Sequence, residues 1–218
     1  MKRIALTLFA VSTLLFACNS DKKEGAKDAD NKMSADTSVS TDKAWVPIDS
    51  AMMDKAWKES MTITEHHKMM AKASGTWNTD ITMWMADGAP PMKSTGTTTN
   101  TMLYNGLYQL SNHSSTMMGA PFQGMSITAY DNTLKEYVAT WIDNMGSGIL
   151  VMTGNWDDAT KTLNLSGKMK NPANGLECTM REEFKTIDDD NQLMTMYGPD
   201  SKTGKEYKSV EIKYTRKK

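Results

Sequence analysis

The residues able to do chemistry are few and widely spaced. Three histidines, two cysteines and 20 methionines stand among 218 residues. His66 and His67 are adjacent on a stretch that suits a helix, so their side chains point about 100° apart and cannot easily ligate one metal together. His113 is distant in sequence. No HExxH, CxxC, GxSxG or phosphate-cradling glycine loop occurs. This pattern implies no resident metal and no cofactor.

Two softer chemistries are alternatives. Thioethers suit Cu(I), and Met69-Met70, Met83-x-Met85 and Met117-Met118 with His113 are the candidate donors for a copper holder. Asp131, Asp143 and Glu183 are the candidate carboxylates for a hydrolase. A third pattern is richer. Tyr137, Ala139, Trp141 and Asp143 share one strand face, an aromatic wall that ends in a carboxylate. Arg181 and Glu183 alternate with Met180, Glu182 and Phe184. These residues fit a mostly apolar cavity with a few polar anchors. Met83, Met85 and Trp141 would supply contact area, and Asp143, Tyr197 and Arg181 would orient the ligand. The plainer assignment is core for Trp141, a turn start for Asp143, and an exposed cross-strand pair for Arg181 with Glu183.

The elements that would position these residues begin after a targeting segment. Lys2 and Arg3 precede an apolar run from Ile4 to Phe16, too short to span a bilayer. Leu15-Phe16-Ala17-Cys18 resembles a bacterial lipobox, which implies lipidation of Cys18 and removal of residues 1–17. Residues 18–48 then read as the lipid anchor and a disordered linker, poor in large apolar groups. The expected location is the bacterial cell envelope, at the outer membrane, with the membrane as partner through the anchor. Cys178 would be left without an internal partner, and is expected to be buried and inert. A formal net charge of −1 argues against nucleic-acid binding by counterion release.

Residues 49–74 form a helical lead-in. One short helix is expected over 49–60, and a second over His66 to Ala73, with Thr62 and Glu65 as its capping box and Gly75 as its stop. Beyond Gly75, turn residues recur between runs of Thr, Val, Ile, Tyr and Trp. The pattern predicts about ten strands, near 75–85, 93–103, 107–116, 122–130, 136–143, 148–155, 161–169, 176–187, 192–198 and 205–216. Asn105-Gly106 predicts a two-residue hairpin. No connection has room for a crossover helix, so neighbouring strands are antiparallel. Closing ten such strands into one up-and-down barrel over 75–218 removes the edges. Trp77, Thr79, Ile81, Met83 and Met85 share one side of the first strand. Val210, Ile212, Tyr214 and Arg216 share one side of the last.

Two resemblances follow from these residues. Gly75-Thr76-Trp77 at the start of the first strand, with Arg216 on the inner side of the last, resembles the lipocalin-type (calycin) signature. It implies a mainly β fold in which the Arg216 guanidinium packs across Trp77 to close the barrel. A second set comprises His67-Lys68, Gly75 to Trp77, Met117 to Gly124, Tyr130 to Asn132, Tyr137 to Asn144, Asp188 to Asp190, Met196-Tyr197 and Gly204 to Arg216. It is similar to an uncharacterised bacterial family, domain of unknown function number 1579. Leu107 departs from the basic residue expected after the Asn-Gly turn. That resemblance implies a small exported β-barrel, often lipid-anchored, and no particular activity. The reading that best joins these features is reversible binding of a small, partly apolar molecule inside the barrel.

Overall fold

The computed structural model describes residues 45–218. Cys18 and the targeting segment lie outside the described residues. The compact unit spans Pro47–Lys218. Its elements are α1 (Ser50–Ser60), α2 (Glu65–Lys72), β1 (Gly75–Met83), β2 (Met92–Leu103), β3 (Tyr108–Met117), β4 (Ala120–Asp131), β5 (Glu136–Asp143), β6 (Leu150–Asp157), β7 (Thr162–Lys170), β8 (Glu177–Thr186), β9 (Asn191–Pro199) and β10 (Glu206–Arg216). Each strand pairs antiparallel with its chain neighbours, and β1 also pairs with β10. The sheet is therefore a closed barrel with no free edge.

Alternation creates the two faces. In β2, Met92, Ser94, Gly96, Thr98 and Asn100 point inward, while Lys93, Thr95, Thr97 and Thr99 are exposed. The register sets Trp77 beside both Thr98 and Arg216. The β2–β3 connection differs from the expected two-residue hairpin. Leu103 pairs with Tyr108, which leaves a four-residue loop. Tyr104, Asn105 and Gly106 all adopt left-handed conformations, at φ 47°, 60° and 93°. The Leu107 amide bonds back to Leu103 and Tyr104. The Asn-Gly pair supplies the left-handed positions, but Tyr104 joins them and lengthens the turn.

α2 plugs one end of the barrel, and this end is the floor. Trp77 is fully buried there. Its indole N–H donates to the Ala73 carbonyl at 2.9 Å. The Arg216 guanidinium lies 4.2 Å from the centre of the Trp77 ring, and donates to the Ser74 and Lys72 carbonyls at 2.7 and 2.8 Å. Asn100 also donates to Ala73, and Gln109 to Met70, at 3.0 and 2.6 Å. The last turn of a helix leaves carbonyls without intrahelical partners. Here barrel side chains fill them. Met70 enters the core beside Tyr137, Ala139, Met152 and Leu165.

The start of α2 also differs from expectation. Its N-cap is Thr64, not Thr62. The Thr64 amide donates to His67 Nδ1 at 3.1 Å, so the imidazole takes the place of a carboxylate in the box. Glu65 instead accepts from Lys68, and the Thr62 hydroxyl donates to Lys58 O at the end of α1. His66 stacks on Tyr130 at 3.8 Å and bonds the Tyr137 hydroxyl at 3.1 Å. Both histidines thus hold the plug in place. Asn132, in the β4–β5 turn, donates to the Glu59, Ser60 and Thr62 carbonyls and fixes the end of α1.

Arg216→Ala is expected to destabilise the fold by about 3 kcal/mol in urea unfolding, because the Ser74, Lys72 and Asp189 carbonyls lose a charged donor. Arg216→Lys keeps the charge but not the fork or the stacking plane, and should recover no more than about half of the loss. An unchanged unfolding midpoint for Arg216→Ala would rule out the clamp.

Candidate functional site

Burial of the inward-facing residues changes along the barrel axis. In β1, Trp77 and Thr79 are buried, whereas Ile81 and Met83 are half-buried. In β2, Thr98 and Asn100 are buried, whereas Met92 and Ser94 are not. In β5, Tyr137 and Ala139 give way to half-buried Trp141 and Asp143. In β10, buried Tyr214 is followed toward the mouth by half-buried Ile212 and Val210. All these side chains aim at the axis. On these four strands packing is complete toward the floor and looser toward the mouth, so the interior has the form of a cup above a packed floor.

One wall of the cup is aromatic, with a single carboxylate at the rim. His113 and Trp141 rings lie 5.0 Å apart, with Phe122 stacked near the indole at 6.3 Å. The indole fits only because position 124 is glycine, where an added Cβ would stand 2.4 Å from the Trp141 ring. The Trp141 N–H donates to Asp143 Oδ2 at 2.7 Å, and Asp143 Oδ1 accepts from the Met145 amide at 2.8 Å. His113 Nδ1 lies 2.7 Å from the Thr98 hydroxyl. Burial lowers the His113 pKa to about 4, so the ring is neutral at pH 7.

The facing wall is mostly apolar around one carboxylate, with Gln192 and Tyr214 buried below it toward the floor. Glu182 points inward between Leu165 of β7 and Met196 of β9. Met180 and Phe184 share its face. No hydrogen-bond partner for its carboxylate occurs among the described residues. Burial among these groups pushes its pKa up to about 7. Above it, a hollow of about 220 Å³ opens at the rim, lined by Met169, Cys178, Met180, Gly198, Tyr207 and Ser209. Asp200 accepts the amides of Asp87, Lys202 and Thr203, which ties two rim loops together and holds its carboxyl down at about 2. A larger, shallow groove of about 620 Å³ lies on the outside of β2–β5, mostly among outward Thr97, Thr99, Asn112, Ser114 and Gln123.

The sequence-based ligand set divides between three places. Met83, Trp141 and Asp143 are on the inner face. Met85 lies past the end of β1 and is 57% exposed. Arg181 and Tyr197 pair with each other on the outer wall, one residue out of phase with Glu182 and Met196. There the guanidinium stacks on Tyr197 at 3.8 Å and binds Glu206 and Glu183. They rivet β8, β9 and β10 from outside and do not face the cup. The true inward polar group of β8 is Glu182. Its signal was present, because Cys178, Met180 and Phe184 share its parity.

The alternative chemistries lack a common site. Asp131 caps a floor-end turn by accepting the Thr133 and Leu134 amides, Asp143 is at the rim, and Glu183 is outside. Met70 is in the floor core, while Met118 is exposed in a turn. No group of three or more His, Cys, Asp or Glu positioned for a metal occurs among the described residues. Cys178 is half-buried and faces the rim hollow, where a buried thiol was expected. Its strand enters from the mouth, the loosely filled end.

The two titrating groups have opposite effects on stability. Glu182 is protonated up to about 7 in the fold but only to about 4.5 when unfolded, so its contribution falls as pH rises between these values. His113 is neutral down to about 4 in the fold, so its contribution falls as pH drops below 6.5. Comparing the protein with Glu182→Gln isolates the first. The variant should be more stable at pH 8 by on the order of 2–3 kcal/mol and equal near pH 4.5. A pH-independent difference in urea unfolding would show that Glu182 does not titrate in this range.

Comparison with known proteins places the fold and the family. The solved structure of S-type phycobiliprotein lyase CPES from Guillardia theta is similar, with a TM-score of 0.50 and 8% identity, over 74% of this chain and 97% of that one. At that identity the likeness concerns the fold, a lipocalin-like barrel. A comparison with curated proteins finds no match. A family model described as a protein of unknown function, DUF1579, matches residues 62–216, and the chain belongs to that family.

Proposed function

We propose that the protein is a lipid-anchored envelope protein that reversibly holds a small, partly apolar molecule in the open half of its barrel. The observation that carries this reading is the burial gradient. On β1, β2, β5 and β10, side chains that point at the axis are buried toward the floor and half-buried toward the mouth. A barrel serving only as a solid module would fill both halves. Met83, Met194 and Met196 give an adaptable apolar lining. Trp141 adds a flat contact surface, held from behind at Gly124 and fixed through its N–H by Asp143. A similar barrel in a phycobiliprotein lyase supports the reading at the level of fold alone.

The envelope location rests on the lipobox-like Leu15 to Cys18 and on the polar stretch behind it. α1 is consistent with it. No residue of α1 is buried, and Met52, Met53 and Trp57 are exposed, with Ile48 and Met61 beside them. Such a row suits the surface of a bilayer near the tether.

Native mass spectrometry of the protein purified from its own cells should find a retained organic molecule, released on unfolding. Trp141→Ala should weaken retention about tenfold with the fold intact. An empty barrel together with unchanged probe binding in Trp141→Ala would exclude this pocket. Independently, Cys18→Ala should move the protein from the membrane fraction to the soluble one, and continued membrane attachment would remove the anchor from the account.

A further inference from the structure

We propose that the molecule held in the barrel carries a positively charged head, an ammonium or amidinium group, which seats against Glu182. This names the ligand class of the site above and rests on that reading.

The inner face has an uneven charge. On the strands, lysines such as Lys93, Lys168, Lys185 and Lys213 alternate onto the outer wall, as does Arg181. Arg216 is the one inward-facing cation among the described residues. It is locked at the floor on Trp77 and the carbonyls of Lys72 and Ser74. Among the described residues two carboxylates face inward, Asp143 and Glu182. Asp143 is occupied by the Trp141 and Met145 N–H groups. Glu182 has no partner among the described residues. An incoming cation therefore meets one free carboxylate and no competing cation above the floor.

The surroundings of Glu182 sharpen the preference. β7 presents Leu165, β9 presents Met196, and its own strand presents Met180 and Phe184. β10 adds the phenol of Tyr214, which burial keeps protonated. Across the cup His113 is neutral. No hydrogen bond to the carboxylate is formed among the described residues, and an unpaired charge in such a place is costly. A ligand ammonium would remove that cost, and Trp141 and Phe122 offer ring faces for the cation or its apolar body. Because the empty carboxyl is half-protonated near pH 7, cation binding displaces its proton. Affinity for a permanent cation must then increase with pH.

The test compares three probes of equal chain length, dodecylamine, dodecanol and dodecanoate, below their micelle concentrations. Binding to the full chain carrying Cys18→Ala is followed by calorimetry at pH 5.5 and pH 8. At pH 8 dodecylamine should bind about tenfold more tightly than dodecanol, and dodecanoate more weakly than either. The amine advantage should shrink at pH 5.5. Glu182→Gln should abolish it at both values, with an unchanged circular-dichroism spectrum showing that the variant is folded. An amine advantage that is absent, or that survives Glu182→Gln, overturns the proposal while leaving barrel binding intact. Failure of all three probes to bind overturns the barrel-binding reading and this proposal with it.

Discussion

The structure depends on how one helix end is satisfied. A closed sheet has no edge, but its two openings still expose the core to water. α2 covers one opening, and a helix end brings carbonyls that cost free energy if buried without donors. The barrel supplies those donors from four strands. Trp77 comes from β1, Asn100 from β2 and Arg216 from β10, with Gln109 of β3 reaching one turn further along the helix. β1 and β10 are the strands that must meet to close the barrel. The same residues therefore close the sheet, cap the helix and seal the floor.

The sealed floor permits an incompletely filled mouth. Packing of Met70, Tyr137, Ala139, Met152 and Leu165 at the floor provides the buried apolar area. The other half then carries features that a solid core would not tolerate. These include a neutral histidine, an unpartnered carboxylate and a ring of flexible thioethers. Methionine is suited to such a place because it adapts to space that is filled only part of the time. The unusual methionine content thus follows from the uneven filling of the barrel as readily as from any metal.

Much of this was legible in the sequence. A period of two and frequent turn residues fix ten antiparallel strands, with ends within about two residues of those observed. The Trp77 and Arg216 pair was legible through its resemblance to the lipocalin-type signature, whose two residues stand at the ends of the strand pattern. Other features were hidden for physical reasons. The cap of α2 passed to His67 because imidazole Nδ1 can accept an amide as a carboxylate does. Arg181 drew attention as the charged residue of β8, yet its neighbour Glu182 faces the cup. A one-residue step reverses the face, and only the parity of Met180 and Phe184 decides it. Met85 continued the alternation on paper beyond the point where the strand ends. The gradient of burial depends on how tightly each layer fills, which periodicity does not encode.

The central claim is that the barrel is packed at the floor and open at the mouth. Its most direct measurement is NMR of the protein with ¹³C-labelled methionine methyls, recorded with and without dissolved xenon, an apolar probe of empty space. The account predicts shifts at Met83, Met180, Met194 and Met196, with Met70 and Met152 unchanged. Equal insensitivity of mouth and floor methyls would mean a uniformly filled barrel and would contradict it.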